Sequence, residues 1–150
     1  MKTLKHILLV EDEPNDIELI LSALSEYKLS HEIAIARDGI EALDYLYRQG
    51  RFASRPIGNP VVVLLDLKMP KLNGIQILKQ LKADEQMRLI PVVVMTSSCE
   101  DRDLIECYKL GVNAYVVKPV RFTEFVEVVK CLGLFWALIN EPPPLCSERQ

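Results

Sequence analysis

Apolar residues fall along this chain in two kinds of block, and the two kinds alternate. His6-Ile7-Leu8-Leu9-Val10, Glu32-Ile33-Ala34-Ile35-Ala36, Val61-Val62-Val63-Leu64-Leu65, Pro91-Val92-Val93-Val94-Met95 and Asn113-Ala114-Tyr115-Val116-Val117 are short runs rich in β-branched residues. Such runs predict strands buried on both faces, as in a parallel sheet. Between them the apolar positions recur every three or four residues: Ile17, Ile20, Leu21 and Leu24; Ile40, Leu43, Leu46 and Tyr47; Ile75, Ile77, Leu78 and Leu81; Leu104, Ile105, Tyr108 and Leu110; Phe125, Val126, Val129 and Leu132. That spacing predicts five amphipathic helices.

The punctuation agrees with the periodicity. Pro14 suits a first helical turn, and Asp16 and Glu18 favour the positive helix start; this helix fades near Tyr27 to Ser30. Asp38 with Glu41 three residues on resembles a capping box, and Gly50 suits the helix end. The third strand stops at Asp66, because Met69-Pro70 and Asn73-Gly74 are turn chemistry, and the third helix ends around Ala83-Asp84. Ser98 or a neighbour suits the cap of the fourth helix, which stops at Gly111, and the fifth begins near Phe122. Residues 51–60 have neither period and contain two prolines, which predicts a surface loop, long for its kind.

Five strands alternating with five helices describe an α/β protein with right-handed crossovers. The expected fold is a flavodoxin-like (βα)5 doubly wound parallel sheet of strand order 2-1-3-4-5, with its switch point between strands one and three. At 150 residues the chain suits one domain able to bury roughly two thirds of its unfolded surface. A net charge of -3 with no Lys/Arg-rich stretch argues against nucleic acid as a direct partner. No run approaches the ~20 apolar residues that span a bilayer, and Ile7-Leu8-Leu9-Val10 is too short for a signal-peptide core. Cys99, Cys107, Cys131 and Cys146 form no Cys-x-x-Cys pair, so reduced thiols and a cytoplasmic location are expected.

The predicted fold collects chemistry at one edge. Strand one ends in Glu11-Asp12, strand three in Asp66, strand four in Thr96 and strand five in Lys118. Taken singly, these are ordinary residues: a solvated helix start, a loop acid, a turn hydroxyl, a surface lysine. Taken together, three carboxylates face one ammonium and one hydroxyl. Two like charges ~4 Å apart repel by about 4 kcal/mol at an effective dielectric near 20, a large share of a domain's stability. A hard divalent cation, Mg²⁺ or Mn²⁺, relieves that repulsion, and Mg²⁺ suits a site whose shell a phosphate oxygen completes. The set then fits phosphoryl transfer, with Asp66 as nucleophile and Lys118, Thr96 and backbone amides compensating charge on the phosphoryl oxygens.

At these residues the chain resembles the receiver domains of two-component response regulators. The matching pieces are Leu8-Leu9-Val10-Glu11-Asp12, Asp66-Leu67-Lys68-Met69-Pro70 with Gly74, Val94-Met95-Thr96-Ser97, and Tyr115-Val116-Val117-Lys118-Pro119. The resemblance implies that Asp66 accepts a phosphoryl group from a sensor histidine kinase. It implies a metal held by Asp12, Asp66 and the backbone carbonyl of Lys68, with Glu11 acting through water, and a cis peptide at Pro119. It further implies a switch pair of Thr96 and Tyr115. A phosphoacceptor of this kind is no enzyme, though it assists its own phosphotransfer and autodephosphorylation.

Beyond the shared core, the loop before strand three and the ending from Leu132 to Pro144 resemble the stand-alone receivers that partner cyanobacterial phytochromes, the Rcp type. That likeness implies a phytochrome-type kinase as partner, an unidentified downstream target, and a homodimer, for which Leu134, Phe135 and Trp136 are candidates. Residues 1–132 are expected to form the receiver domain and 133–150 an apolar, then Pro-rich extension with no output domain.

Three other readings compete. A phosphatase of the haloacid-dehalogenase type needs a second Asp two residues after the nucleophile, where this chain has Lys68. A flavodoxin needs a hydroxyl- and glycine-rich phosphate loop after strand one, where Glu11-Asp12-Glu13 would repel a phosphate. An interaction module that is never phosphorylated usually lacks the acceptor, an acidic partner or the lysine, and here all are present.

Overall fold

The computed structural model describes residues 6–26 and 33–144. Outside the described residues lie the predicted fading of the first helix near Tyr27 to Ser30, Glu32 of the second strand, and Cys146. The strands are β1 (Ile7–Val10), β2 (Ile33–Ala36), β3 (Val62–Leu65), β4 (Val92–Thr96) and β5 (Ala114–Val117). The helices are α1 (Pro14–Ser25), α2 (Gly39–Tyr47), α3 (Gly74–Ala83), α4 (Asp101–Lys109) and α5 (Phe122–Gly133). All strand pairs are parallel, in the order β2-β1-β3-β4-β5, as the sequence pattern predicts.

Alternation along the strands divides the core in two. Leu8, Val10, Val63, Leu65, Val92 and Val94 pack on one face with Leu46 of α2, Ile77, Leu78 and Leu81 of α3 and Cys107 of α4. Ile7, Leu9, Val62, Leu64, Val93 and Met95 pack on the other with Ile17, Ile20 and Leu24 of α1 and Phe125 and Val129 of α5. The middle strands β1, β3 and β4 are buried throughout, which is why their sequences are continuous apolar runs. The edge strand β5 is half-buried and Val117 is exposed.

Three local predictions change in detail. The Asp38 carboxylate caps α2 by accepting from the Glu41 N–H, but the Glu41 carboxylate accepts from Arg37 N–H instead of closing the box on Asp38. The full box forms at α3, where Asn73 and Gln76 exchange bonds with each other's N–H at 2.9 Å. At the end of α2 Arg48 already takes the left-handed conformation (φ 55°), two residues ahead of Gly50 (φ 56°), and its guanidinium donates to the Arg55 carbonyl. Of Ser98 and its neighbours it is Glu100 that takes the N-cap position of α4, and the Ser98 hydroxyl donates to Asp103 in the first turn of the helix.

The long loop before β3 is tied down by one residue. Arg55 stacks over the Tyr45 ring at 4.1 Å and donates to the carbonyls of Tyr45, Pro56 and Gly58. Gly74 has a separate role: a methyl group there would stand 2.5 Å from the Asp66 carbonyl oxygen, so the start of α3 can close against the end of β3 only without a side chain.

The final helix does not stop at Leu132. Gly133 keeps helical angles (φ -62°, ψ -46°), and a π-helical turn over Leu134–Ile139 continues from α5. Leu132, Trp136 and Ala137 pack against the α1/α5 side of the core, whereas Phe135, Leu138 and Ile139 are 45%, 62% and 70% exposed. No helix among the described residues is long and apolar enough to cross a membrane. Cys99, Cys107 and Cys131 are free thiols.

Candidate functional site

Parallel strands place all five carboxyl ends on one edge, and the ladder runs one bond beyond three of them. The Glu11 N–H donates to Ala36 O at 3.0 Å and the Asp66 N–H to Val10 O at 3.1 Å. Both acids are thereby held by backbone bonds at the switch point between β1 and β3, and the Lys118 N–H likewise bonds Thr96 O at 2.7 Å. Glu11 (1% exposed), Asp66 (7%) and Thr96 (0%) are buried, and Asp12 is exposed.

The structure brings the predicted acids together. Glu11, Asp12 and Asp66 each offer a carboxylate oxygen, all within 4.8 Å of one another. An all-oxygen, anionic donor set of this size suits a hard divalent cation. Asp66 Oδ1 also accepts from the Lys68 N–H at 3.3 Å, while the Lys68 side chain is exposed. An open cleft of about 460 Å³, lined by Asp12, Lys68, Met69, Asn73, Glu100 and Arg102 among others, leads to this edge.

Lys118 answers the charge more fully than the sequence suggests. Its ammonium lies 2.8 Å from Glu11 Oε1, 2.7 Å from Asp16 Oδ2 and 3.4 Å from Asp66 Oδ2, so its three N–H donors all have carboxylates to meet. Asp16 was readable as a helix-start acid and nothing more. Its place in the first turn of α1 gives no local sign of the lysine, which lies 102 residues away in sequence.

Burial and charge shift two of these groups. Desolvation of Glu11, with the Asp66 charge beside it, outweighs the Lys118 hydrogen bond and raises its carboxyl to about 7. Burial alone would lower Lys118; the hydrogen bonds of Asp16 and Glu11 and the charges of Asp66 and Glu11 overcome it and hold the ammonium above the ordinary lysine value.

Thr96 and Tyr115 meet through Ser98. The Thr96 hydroxyl oxygen accepts from the Ser98 N–H at 3.3 Å, and the Tyr115 hydroxyl donates to the Ser98 carbonyl at 3.0 Å. Through its own hydroxyl Ser98 also holds Asp103 on α4, so one buried serine joins Thr96 and Tyr115 to that helix. Tyr115 packs on the α4 side of the sheet and Lys118 meets α1 on the other, as their odd spacing requires. One expectation is corrected: there is no cis peptide among the described residues, and Lys118-Pro119 is trans. The trans form is the intrinsically favoured one even before proline, and Lys118 reaches its three carboxylates with it.

A sheet of order 2-1-3-4-5 with these acids, hydroxyl and lysine at its carboxyl edge defines the class. Residues 7–130 match the response regulator receiver domain, and the chain belongs to that family of phosphoacceptor regulators. The response regulator Rcp1 of Synechocystis sp. is 37% identical over 132 residues, 88% of each chain. Its Mn²⁺-bound structure superposes with a TM-score of 0.86 at 35% identity, covering 93% of this chain and 99% of that one. The phosphorylated cyanobacterial phytochrome response regulator RcpA has the same TM-score, 0.86, at 37% identity over 93% of this chain and 99% of its own. The bacteriophytochrome response regulator RtBRR is 55% identical, with a TM-score of 0.74 over 97% of this chain and 88% of its own.

The Glu11 shift has a signed consequence. A carboxyl whose folded value, about 7, exceeds its unfolded value of 4.5 holds its proton more tightly in the native state. Stability of the metal-free protein is then lost as pH rises between those values, with a slope of up to ~1.4 kcal/mol per pH unit. Asp38 and Asp84, whose values are lowered from 3.8, act in the opposite sense but below this window. Urea unfolding in EDTA from pH 5 to pH 7.5 should show wild-type stability falling relative to Glu11→Gln; parallel curves would contradict the shift.

Proposed function

We propose that this chain accepts a phosphoryl group on Asp66 from the phosphohistidine of a sensor histidine kinase, a phytochrome-type kinase in the cytoplasm, and signals through a changed surface. The observation that carries the reading is the Asp66 carboxylate, buried at the sheet's switch point, 3.4 Å from the Lys118 ammonium and grouped with Glu11 and Asp12. The kinship with phytochrome response regulators supports the choice of kinase.

In the transfer an Asp66 oxygen attacks phosphorus as the phosphorus–nitrogen bond breaks, and the bonding pair leaves with the imidazole. Lys118 is already within reach of Asp66 and pairs with a phosphoryl oxygen. The Lys68 N–H, pointed at Asp66 Oδ1, is a backbone donor on the same side. Glu11, Asp12, Asp66 and the Lys68 carbonyl would hold Mg²⁺ or Mn²⁺, which when bound offsets the negative charge gathered at the phosphoryl oxygens. The Mn²⁺-bound form of Rcp1 supports that assignment.

The signal leaves through Ser98. When the Thr96 hydroxyl turns towards the phosphoryl group, the Ser98 N–H loses its acceptor, and the carbonyl that holds Tyr115 and the hydroxyl that holds Asp103 move with it. Autodephosphorylation would return the site to rest by attack of water at the same phosphorus. Incubation with Mg²⁺ and acetyl phosphate should add one acid-labile, hydroxylamine-sensitive phosphoryl group to the wild type and to Thr96→Ala, and none to Asp66→Asn. Unchanged incorporation in folded Asp66→Asn would overturn the reading.

The same proposal includes a homodimer. Phe135 and Trp136 form an edge-to-face pair 5.1 Å apart beside an apolar groove of about 400 Å³ lined by Val128, Cys131 and Leu132. With Leu134 and the exposed Leu138 and Ile139 they make a patch that a symmetry mate would cover while the Asp66 edge stays open. Sedimentation equilibrium at micromolar concentration should give a dimer for the wild type and a monomer for Leu138→Glu/Ile139→Glu; a monomeric wild type, phosphorylated or not, would refute the pairing.

A further inference from the structure

Lys118 and a divalent cation make conflicting demands on the same two carboxylates. Glu11 and Asp66 belong to the oxygen group that suits the cation, and both also face the Lys118 ammonium, at 2.8 and 3.4 Å. Two positive charges drawing on one buried pair of acids repel, and at this depth solvent screens them poorly. Yet phosphoryl transfer at Asp66 needs the ammonium close by when the cation is present.

Asp16 resolves the conflict by its position. Its Oδ2 is 2.7 Å from Lys118 Nζ, the shortest of the three contacts, and it stands outside the group formed by Glu11, Asp12 and Asp66. It sits in the first turn of α1, one turn beyond Asp12, with its side chain 25% exposed against 12% for Lys118. The lysine thus crosses from the end of β5 to α1, and one of its three partners has no share in the cation group.

We propose that Asp16 is a positioning residue for the phosphoacceptor site: it keeps the Lys118 ammonium anchored when Glu11 and Asp66 turn to a divalent cation, and so lets the two positive charges occupy one acid pocket. The inference rests on the reading of Glu11, Asp12 and Asp66 as the cation site. Without Asp16, the ammonium has only the cation's own ligands to turn to, and the two compete for them. Asp16 therefore acts on the cation through Lys118, and its effect should vanish when the lysine does.

The test is a double-mutant cycle read by calorimetric titration of Mg²⁺ into the full chain, with wild type, Asp16→Asn, Lys118→Met and the double variant. Asp16→Asn should weaken Mg²⁺ binding roughly five-fold in the wild-type background and less than about two-fold in the Lys118→Met background. Asp16→Glu, which restores the charge, should bind within about two-fold of the wild type. Melting in EDTA verifies that each variant folds, and Asp16→Ser takes the place of Asp16→Asn in the cycle if the latter does not. Equal losses in both backgrounds would show Asp16 to be a nearby negative charge and no more, and would overturn the proposal. So would a folded Asp16→Asn that binds Mg²⁺ as the wild type does, leaving the cation reading intact. A wild type that binds no Mg²⁺ would overturn the cation reading itself, and the proposal with it.

Discussion

One ammonium shared among three carboxylates is the constraint on which the carboxyl edge of this sheet depends. Glu11 and Asp66 are buried acids on neighbouring strands, and the sheet's own backbone bonds hold them there. Unanswered, their charges would cost several kcal/mol between them. Lys118 answers them by reaching across from the end of β5, while burial, with the Asp66 charge beside it, still keeps the Glu11 carboxyl raised. A bound cation would relieve what remains of their repulsion. A site made responsive in this way has a resting state that is stable enough to persist and poor enough to be changed.

The fold produces that arrangement from simple ingredients. Parallel strands end on one edge, the switch point between β1 and β3 opens the edge to solvent, and continuous apolar runs fix the register from which Glu11, Asp66 and Thr96 project. Gly74 lets α3 close against the Asp66 backbone, and Ser98 is hydrogen-bonded to Thr96, to Tyr115 and to Asp103 of α4. Each link from site to surface is a hydrogen bond or a close backbone approach, so a small change of charge at Asp66 can be read as a movement some residues away.

Much of this was legible in the sequence because strand ends and helix faces follow from periodicity. The five strands and the meeting of Glu11, Asp12, Asp66 and Lys118 follow from where apolar runs stop, and the strand order from the flavodoxin-like pattern of five alternating units. Long-range choices among equivalent local partners were not legible. Glu41 had two N–H groups in reach and bonded Arg37 instead of Asp38, and Ser98 bonded Asp103 instead of capping α4. Asp16 looked like one more helix-start acid, since nothing local says that a lysine 102 positions away will choose it. The apolar stripe predicted for the fifth helix ends at Leu132, yet the packing of Trp136 and Ala137 on the core carries the helix on through Gly133. In each case tertiary contacts decided between alternatives that propensity leaves nearly equal.

Neutralisation of the acid pocket by Lys118 at rest is the central requirement of this site. The direct measurement is the melting temperature of Lys118→Met beside the wild type at pH 8, in EDTA and in saturating Mg²⁺. The loss of the ammonium should lower the melting temperature in EDTA by roughly 5 °C or more, and Mg²⁺ should raise the variant by more than it raises the wild type. A Lys118→Met protein as stable as the wild type in EDTA and indifferent to Mg²⁺ would contradict it.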